Sequence, residues 1–130
     1  MAGYPWTALA TVAALSIYIW TIMRVGRARG QFGVPAPAMD GPPDFLRAIR
    51  VQANTVEQLV AFLPLLWLFA VAWGDRAAAA VGAVWCVGRI LYAVGYYRAA
   101  ERRSLGFSVS ALAAVVLLLG VFGGAVMALG

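Results

Sequence analysis

The stretch RVQANTVEQLVAFLPLLWLFAVAWGDRAAAAVGAVWCVGRILYAVGYYR, residues 50–98, decides the fold. At its centre lies the tight turn Gly74-Asp75. One clean apolar run, Leu59 to Trp73, precedes it, and a second, Ala77 to Tyr97, follows, interrupted only by Arg89. A helix needs about 20 residues to cross the hydrocarbon of a bilayer. The run from Leu59 is too short alone and must recruit its polar N-terminal side, which carries Asn54 and Glu57. Two spans joined by so short a turn are antiparallel neighbours.

Working outward, a third apolar run extends from Tyr4 to Met23 and a fourth from Phe107 to Leu129. No positive residue precedes the first run and no convincing cleavage site follows it, so it reads as a retained helix. Gly41-Pro42-Pro43-Asp44 is a helix start: proline is tolerated in the first turn and an acidic side chain suits the positive helix end. The expectation is an all-α, integral membrane four-helix bundle forming one transmembrane domain, residues 1–130. Its helices fall at about 4–24, 45–73, 76–98 and 106–129. Gly120 and Gly124 make a small-xxx-small pair that ordinary close packing explains.

Composition agrees with lipid as the solvent. Of 130 residues, 64% are hydrophobic and only 12% charged, against about half and a quarter in soluble domains. All ten basic residues are arginine, giving a net charge of +5. They sit at the ends of the apolar runs, where they read as topology signals and anionic-headgroup contacts rather than as a nucleic-acid surface. Eight of them flank the first and third loops, and only Arg76 the second. The positive-inside rule then puts loops one and three in the cytoplasm. The alanine- and arginine-rich, lysine-free usage points to a GC-rich bacterial genome and hence an inner membrane. With no histidine and a single cysteine, Cys86, in an apolar run, a metal centre and a disulfide framework are both disfavoured.

Ionisable groups within a span cost roughly 2.5–3.5 kcal/mol each on the mildest scale, so their pattern is informative. Arg50, Asn54 and Glu57 are spaced i, i+4, i+7 and share one helix face, with Gln52 and Gln58 to the sides. Arg89, Tyr92 and Tyr96 are spaced i, i+3, i+7 and share another, which Arg103 would continue if the helix ran on. Measured from the turn, Glu57 and Tyr92 both lie at a depth of about 24 Å, and Asn54 comes level with Tyr96 at about 28–30 Å. Two readings follow. In a purely structural one, Glu57 pairs with Arg89, Asn54 bridges helices, and the tyrosines join an interfacial belt. In the other, arginines, an amide, a carboxylate and phenols on adjoining faces recognise a small zwitterionic or anionic ligand.

At these residues the chain resembles the MAPEG family of membrane-associated proteins in eicosanoid and glutathione metabolism. The likeness is carried by Gly41-Pro42-Pro43-Asp44-Phe45, by Arg50-Val51-Gln52-Ala53-Asn54-Thr55-Val56-Glu57, and by Gly88-Arg89-Ile90-Leu91-Tyr92-Ala93-Val94-Gly95-Tyr96. It is nearest to the leukotriene C synthase and microsomal glutathione transferase branch. The resemblance implies a homotrimer with glutathione between protomers on the cytoplasmic side. It implies glutathione contacts at Arg29, Arg50, Gln52, Asn54, Glu57, Arg89, Tyr92 and Tyr96, and places Arg103 beside the thiol as the catalytic residue. Gln58 stands where leukotriene C synthase has a tyrosine, and Ser104 follows Arg103 as in prostaglandin E synthase, though at a different spacing.

Chemically, a free thiol with pKa near 8.5 is only a few per cent thiolate at pH 7. An adjacent guanidinium favours the anion, and arginine stays protonated while doing so. The expected activity is conjugation of glutathione, as co-substrate, to a lipophilic electrophile arriving through membrane lipid, with peroxidase and isomerase chemistry open to the same thiolate. The rivals are a non-catalytic lipid-binding or scaffold member of the same family and a small four-helix drug transporter. The latter usually relies on an acidic residue in the first helix, and Tyr4 to Met23 has none.

Overall fold

The computed structural model describes residues 2–130. Its order is α1 (Pro5–Phe32), α2 (Pro43–Trp73), α3 (Asp75–Arg98), a 3-10 turn (Ala100–Arg103) and α4 (Ser104–Leu129). Each of the four α-helices is long and apolar enough to cross a membrane. The result is an all-α membrane bundle in which α1 packs on α2 and α3, and α4 packs on α3 and α2. Large apolar side chains such as Leu112, Leu119 and Phe122 project outward from α4, as expected where lipid replaces water as solvent.

Helix α1 continues for eight residues past Arg24, where the apolar run ends, and stops at Gly33 in the left-handed conformation, φ 65°. Loss of hydrophobicity marks the exit from lipid, whereas the helix ends only where glycine allows the backbone to reverse. At 28 residues α1 is about 42 Å long, well beyond the roughly 30 Å hydrocarbon core. Its last turns therefore stand in the headgroup region beside the N-terminal turns of α2.

The main core lies midway, where Phe62 and Trp85 stack with ring centroids 4.0 Å apart. Ile17, Leu66, Cys86 and Leu117 surround them. At the end bearing the α2–α3 turn, a polar clasp joins α1 to α3. The Asp75 carboxylate accepts hydrogen bonds from the Trp6 and Thr7 amides, at 3.0 and 2.7 Å, and from the Thr7 hydroxyl at 2.7 Å. These satisfy N–H groups that the first turn of any helix leaves without partners.

Helices α3 and α4 approach almost backbone to backbone. A Cβ on Gly106 would collide with the main chain of Tyr92, and one on Gly88 would meet the Ser110 amide nitrogen. Small residues permit this closeness, which suits helices whose association in lipid depends on packing. Gly120 and Gly124, the pair visible in the sequence, instead seat Phe69 and Ala72 of α2.

Candidate functional site

Helix α3 does not run on to Arg103. It ends at Arg98, the chain turns out through extended Ala99, and the 3-10 turn carries it back. This reversal lays Arg103 over Tyr96, with the guanidinium carbon 5.4 Å from the ring centroid. Tyr96 meets Tyr92 edge-on at 5.5 Å, and Arg89 lies on the other flank of Tyr92 at 4.0 Å. Arg89, Tyr92, Tyr96 and Arg103 thus form one continuous stack at the end of the bundle holding the α3–α4 connection. Such cation–aromatic contacts contribute on the order of 1 kcal/mol apiece and fix the planes of the rings.

The stack has a buried end and an open end. Arg89 is 1% exposed and donates to the Thr55 hydroxyl at 2.9 Å, while its Nε and one terminal nitrogen have no partner. Thr55 in turn donates to the Val51 carbonyl at 2.7 Å. Arg103, by contrast, is exposed and donates to the Ala100 carbonyl at 2.7 Å. It opens onto a cavity of about 420 Å³ shared with Ser104, Phe107 and Ser108. Phe107 also packs on Tyr92, centroids 6.5 Å apart.

Arg50, Asn54 and Glu57 share the face of α2 that the spacing requires, flanked by the inward-facing Val51, Thr55 and Leu59. Arg50 and Glu57 are exposed on the single chain, Gln52, Asn54 and Gln58 half-buried. Val51, next to Arg50 on α2, packs against Tyr92 and Ala93 of α3, so the α2 face and the aromatic stack border one region. The Asn54 carbonyl oxygen is enclosed without a partner.

Glu57 does not pair with Arg89, since one faces outward and the other into the bundle. Among the described residues the one ion pair is Arg47 with Asp44. Arg29 is set apart from the stack. It donates to the Val34 and Ala38 carbonyls of the first loop, at 3.3 and 2.7 Å, and stands 5.3 Å from the Phe45 ring centroid.

Three residues of this region were not singled out in the sequence: Thr55, Phe107 and Ser108. Thr55 is detectable only through its i−4 bond and the arrival of Arg89 from another helix. Ser104 and Ser108 carry a weaker signal, two of the three hydroxyls that open α4, at i, i+4.

The arrangement of motif residues on α2 and α3 coincides with a match over nearly the whole chain: the profile of the MAPEG family covers residues 7–123. The chain belongs to the MAPEG family. An uncharacterized protein of Synechocystis sp. is 51% identical over 115 residues, covering 88% of this chain and 84% of that protein. Human microsomal glutathione S-transferase 2 is 37% identical over 118 residues, covering 88% and 80%. Bovine leukotriene C4 synthase is 35% identical over 112 residues, covering 85% and 75%. Four apolar helices and MAPEG membership together make this an integral membrane protein.

Proposed function

We propose that this MAPEG protein is a glutathione-dependent membrane transferase that activates glutathione as a thiolate and conjugates it to a lipophilic electrophile. The observation that carries the reading is the position of Arg103, held over Tyr96 at the mouth of a cavity on α4. The names of the transferase and synthase relatives support the same chemistry.

In this mechanism Arg50, Gln52, Asn54 and Glu57 hold the peptide's carboxylates, amides and ammonium through charge-assisted hydrogen bonds. Tyr92 and Tyr96 line its other side, and Arg29 adds a contact at the first loop. Arg89, expected as a glutathione contact, is buried within the bundle and instead keeps Tyr92 in place from within. The thiol proton passes to solvent, and the Arg103 guanidinium stabilises the sulfur anion. The sulfur then forms a bond to the electrophilic carbon. The displaced electron pair leaves with the departing group or, on an epoxide, stays on oxygen and takes a proton from water. Peroxide reduction would use the same thiolate, and a second glutathione would complete the disulfide.

Arg50 and Glu57 are charged, exposed on a spanning helix and without an ion-pair partner among the described residues. A lipid-facing position would be costly for both. A homotrimer with the site between protomers covers this face. The arginine distribution orients that site toward the cytoplasm of a bacterial inner membrane.

The test is a titration of detergent-purified protein with glutathione, following thiolate ultraviolet absorbance, alongside Arg103→Ala. A saturable signal in the native protein that is lost or reduced in the variant is the expected result. Folded protein with neither binding nor thiolate would overturn the enzyme reading and leave a lipid-binding or scaffold role.

A further inference from the structure

A second polar cavity, of about 310 Å³, opens between the last turns of α1, the first turns of α2 and the end of α3. Arg24, Arg27, Gln31, Asp44, Ala48 and Tyr97 line it. Arg24, Arg27 and Gln31 are spaced i, i+3, i+7 and face it together. Asp44, the sole carboxylate in the lining, pairs with Arg47, while Arg24 and Arg27 have no acidic partner among the described residues. The lining therefore keeps two uncompensated guanidinium groups.

The cavity is built rather than incidental. Tyr97 is fixed between two α1 side chains, with Trp20 edge-on at 5.8 Å and the Arg24 guanidinium carbon at 4.1 Å from its ring centroid. Its hydroxyl is enclosed with no hydrogen-bond partner among the described residues. Beneath lies a compact apolar floor of Val25, Ala28, Val34, Phe45 and Ala48. This cavity is also separate from the proposed glutathione face. Asp44 and Ala48 lie roughly 120–160° around α2 from Arg50, and Tyr97 is about 100° around α3 from Tyr96.

We propose that this cavity binds the phosphate group of an anionic phospholipid. Two guanidinium groups converging on one cavity match a phosphate, which arginine can grip through paired N–H donors. Depth selects the lipid source. Arg24 lies about 28 Å along α1 from Pro5, close to the thickness of the hydrocarbon core. The cavity therefore opens at headgroup level, with apolar helix surface below it for the acyl chains. The site requires no glutathione chemistry and stands or falls independently of the proposed transferase activity.

The experiment is native mass spectrometry of the purified protein titrated with phosphatidylglycerol or with phosphatidylcholine. Native protein is expected to retain phosphatidylglycerol preferentially. Arg24→Ala/Arg27→Ala should weaken that retention roughly tenfold or more, as expected for removing two arginines from an anionic surface. Arg98→Ala/Arg102→Ala, which removes equal charge from the same end, should leave it unchanged. Arg27 is exposed, so Arg27→Glu supplies a variant that keeps the fold if the double substitution does not.

Thermal melting in neutral detergent with inorganic phosphate, against chloride at matched ionic strength, separates the sources. Stabilisation by phosphate, abolished in Arg27→Glu and without lipid preference, would replace the lipid with a soluble phosphate ligand and overturn the proposal as stated. Equal losses in both double variants would reduce the effect to general charge. Displacement of the lipid by saturating glutathione would make the cavity part of the glutathione site. Either result also overturns it.

Discussion

Arg103 and Tyr96 meet face to cation, 5.4 Å apart, although six residues and a chain reversal separate them. The contact gives an exposed arginine at the end of the 3-10 turn a defined position. Its short 3-10 turn is anchored on the neighbouring helix because Gly95 leaves room for the Arg102 carbonyl. A guanidinium at a fixed place can stabilise a developing anion without first being ordered, which is the physical basis of electrostatic preorganisation.

Arg103→Ala should therefore lower kcat/KM for glutathione conjugation at pH 7 by roughly twenty- to thirtyfold, the loss of thiolate when a thiol pKa depressed by about two units returns to its free value near 8.5. Arg103→Lys should recover part of it, since a point charge remains without the planar fork. Because Arg103 is exposed, the melting temperature should fall by only a few degrees, the loss of one cation–aromatic contact. A variant that keeps full thiolate absorbance at pH 7 would remove Arg103 from the mechanism.

Substitutions on the α2 face should separate binding from chemistry. Glu57→Gln and Arg50→Ala should raise the glutathione KM by about ten- to a hundredfold, the range for a lost hydrogen bond to a charged group. In saturating glutathione kcat should change little, because these groups act on ground state and transition state alike. An unchanged KM in both variants would place glutathione elsewhere.

Among the described residues, Thr55 accepts a hydrogen bond from buried Arg89, whose Nε and one terminal nitrogen have no partner. Thr55→Val keeps the shape and removes the acceptor, so it should destabilise by about 1–3 kcal/mol. Adding Arg89→Leu should restore much of that loss, because a buried charge replaced by an apolar side chain no longer needs a partner. Denaturation of the single and double variants in detergent tests this. A double variant less stable than Thr55→Val would show that Arg89 is itself stabilising.

Gly106 sits where α4 touches the Tyr92 backbone. Gly106→Leu should cost about 1–3 kcal/mol or more through overpacking, and should also reduce thiolate formation by moving Arg103 off Tyr96. Leu119→Ala, on the outward face of α4, should alter neither. Full thiolate activity in Gly106→Leu would mean that the helix contact does not position Arg103.

At the opposite end, Asp75→Ala should lower the melting temperature by uncapping α1, with glutathione binding unaffected. Asp44→Ala, which breaks an exposed i,i+3 pair, should have little effect by comparison. Equal melting of Asp75→Ala and native protein would deny the clasp any role in stability.

The four spans were legible because hydropathy is a property of the chain itself. A run such as Phe107 to Leu129 has no alternative in water, whatever it packs against. The shared faces of Arg50, Asn54 and Glu57, and of Arg89, Tyr92 and Tyr96, follow equally from helix periodicity, and the same segments carried the resemblance to the family. What the periodicity does not contain is where each side chain finds its partner. One reading of the spacing paired Glu57 with Arg89, yet packing turned Arg89 inward to Thr55 and left Glu57 outward. The spacing aligned Arg103 with Tyr96 by extending a helix, whereas the contact is made by a reversal after Arg98. The Asp75 clasp and the Arg24–Tyr97 cavity join residues roughly 70 positions apart. Sequence alone thus set which segments cross the membrane and which residues share a face, because both are local. Tertiary structure decided which faces meet, because that depends on how closely glycine-bearing helices can approach and on where the connecting turns return the chain.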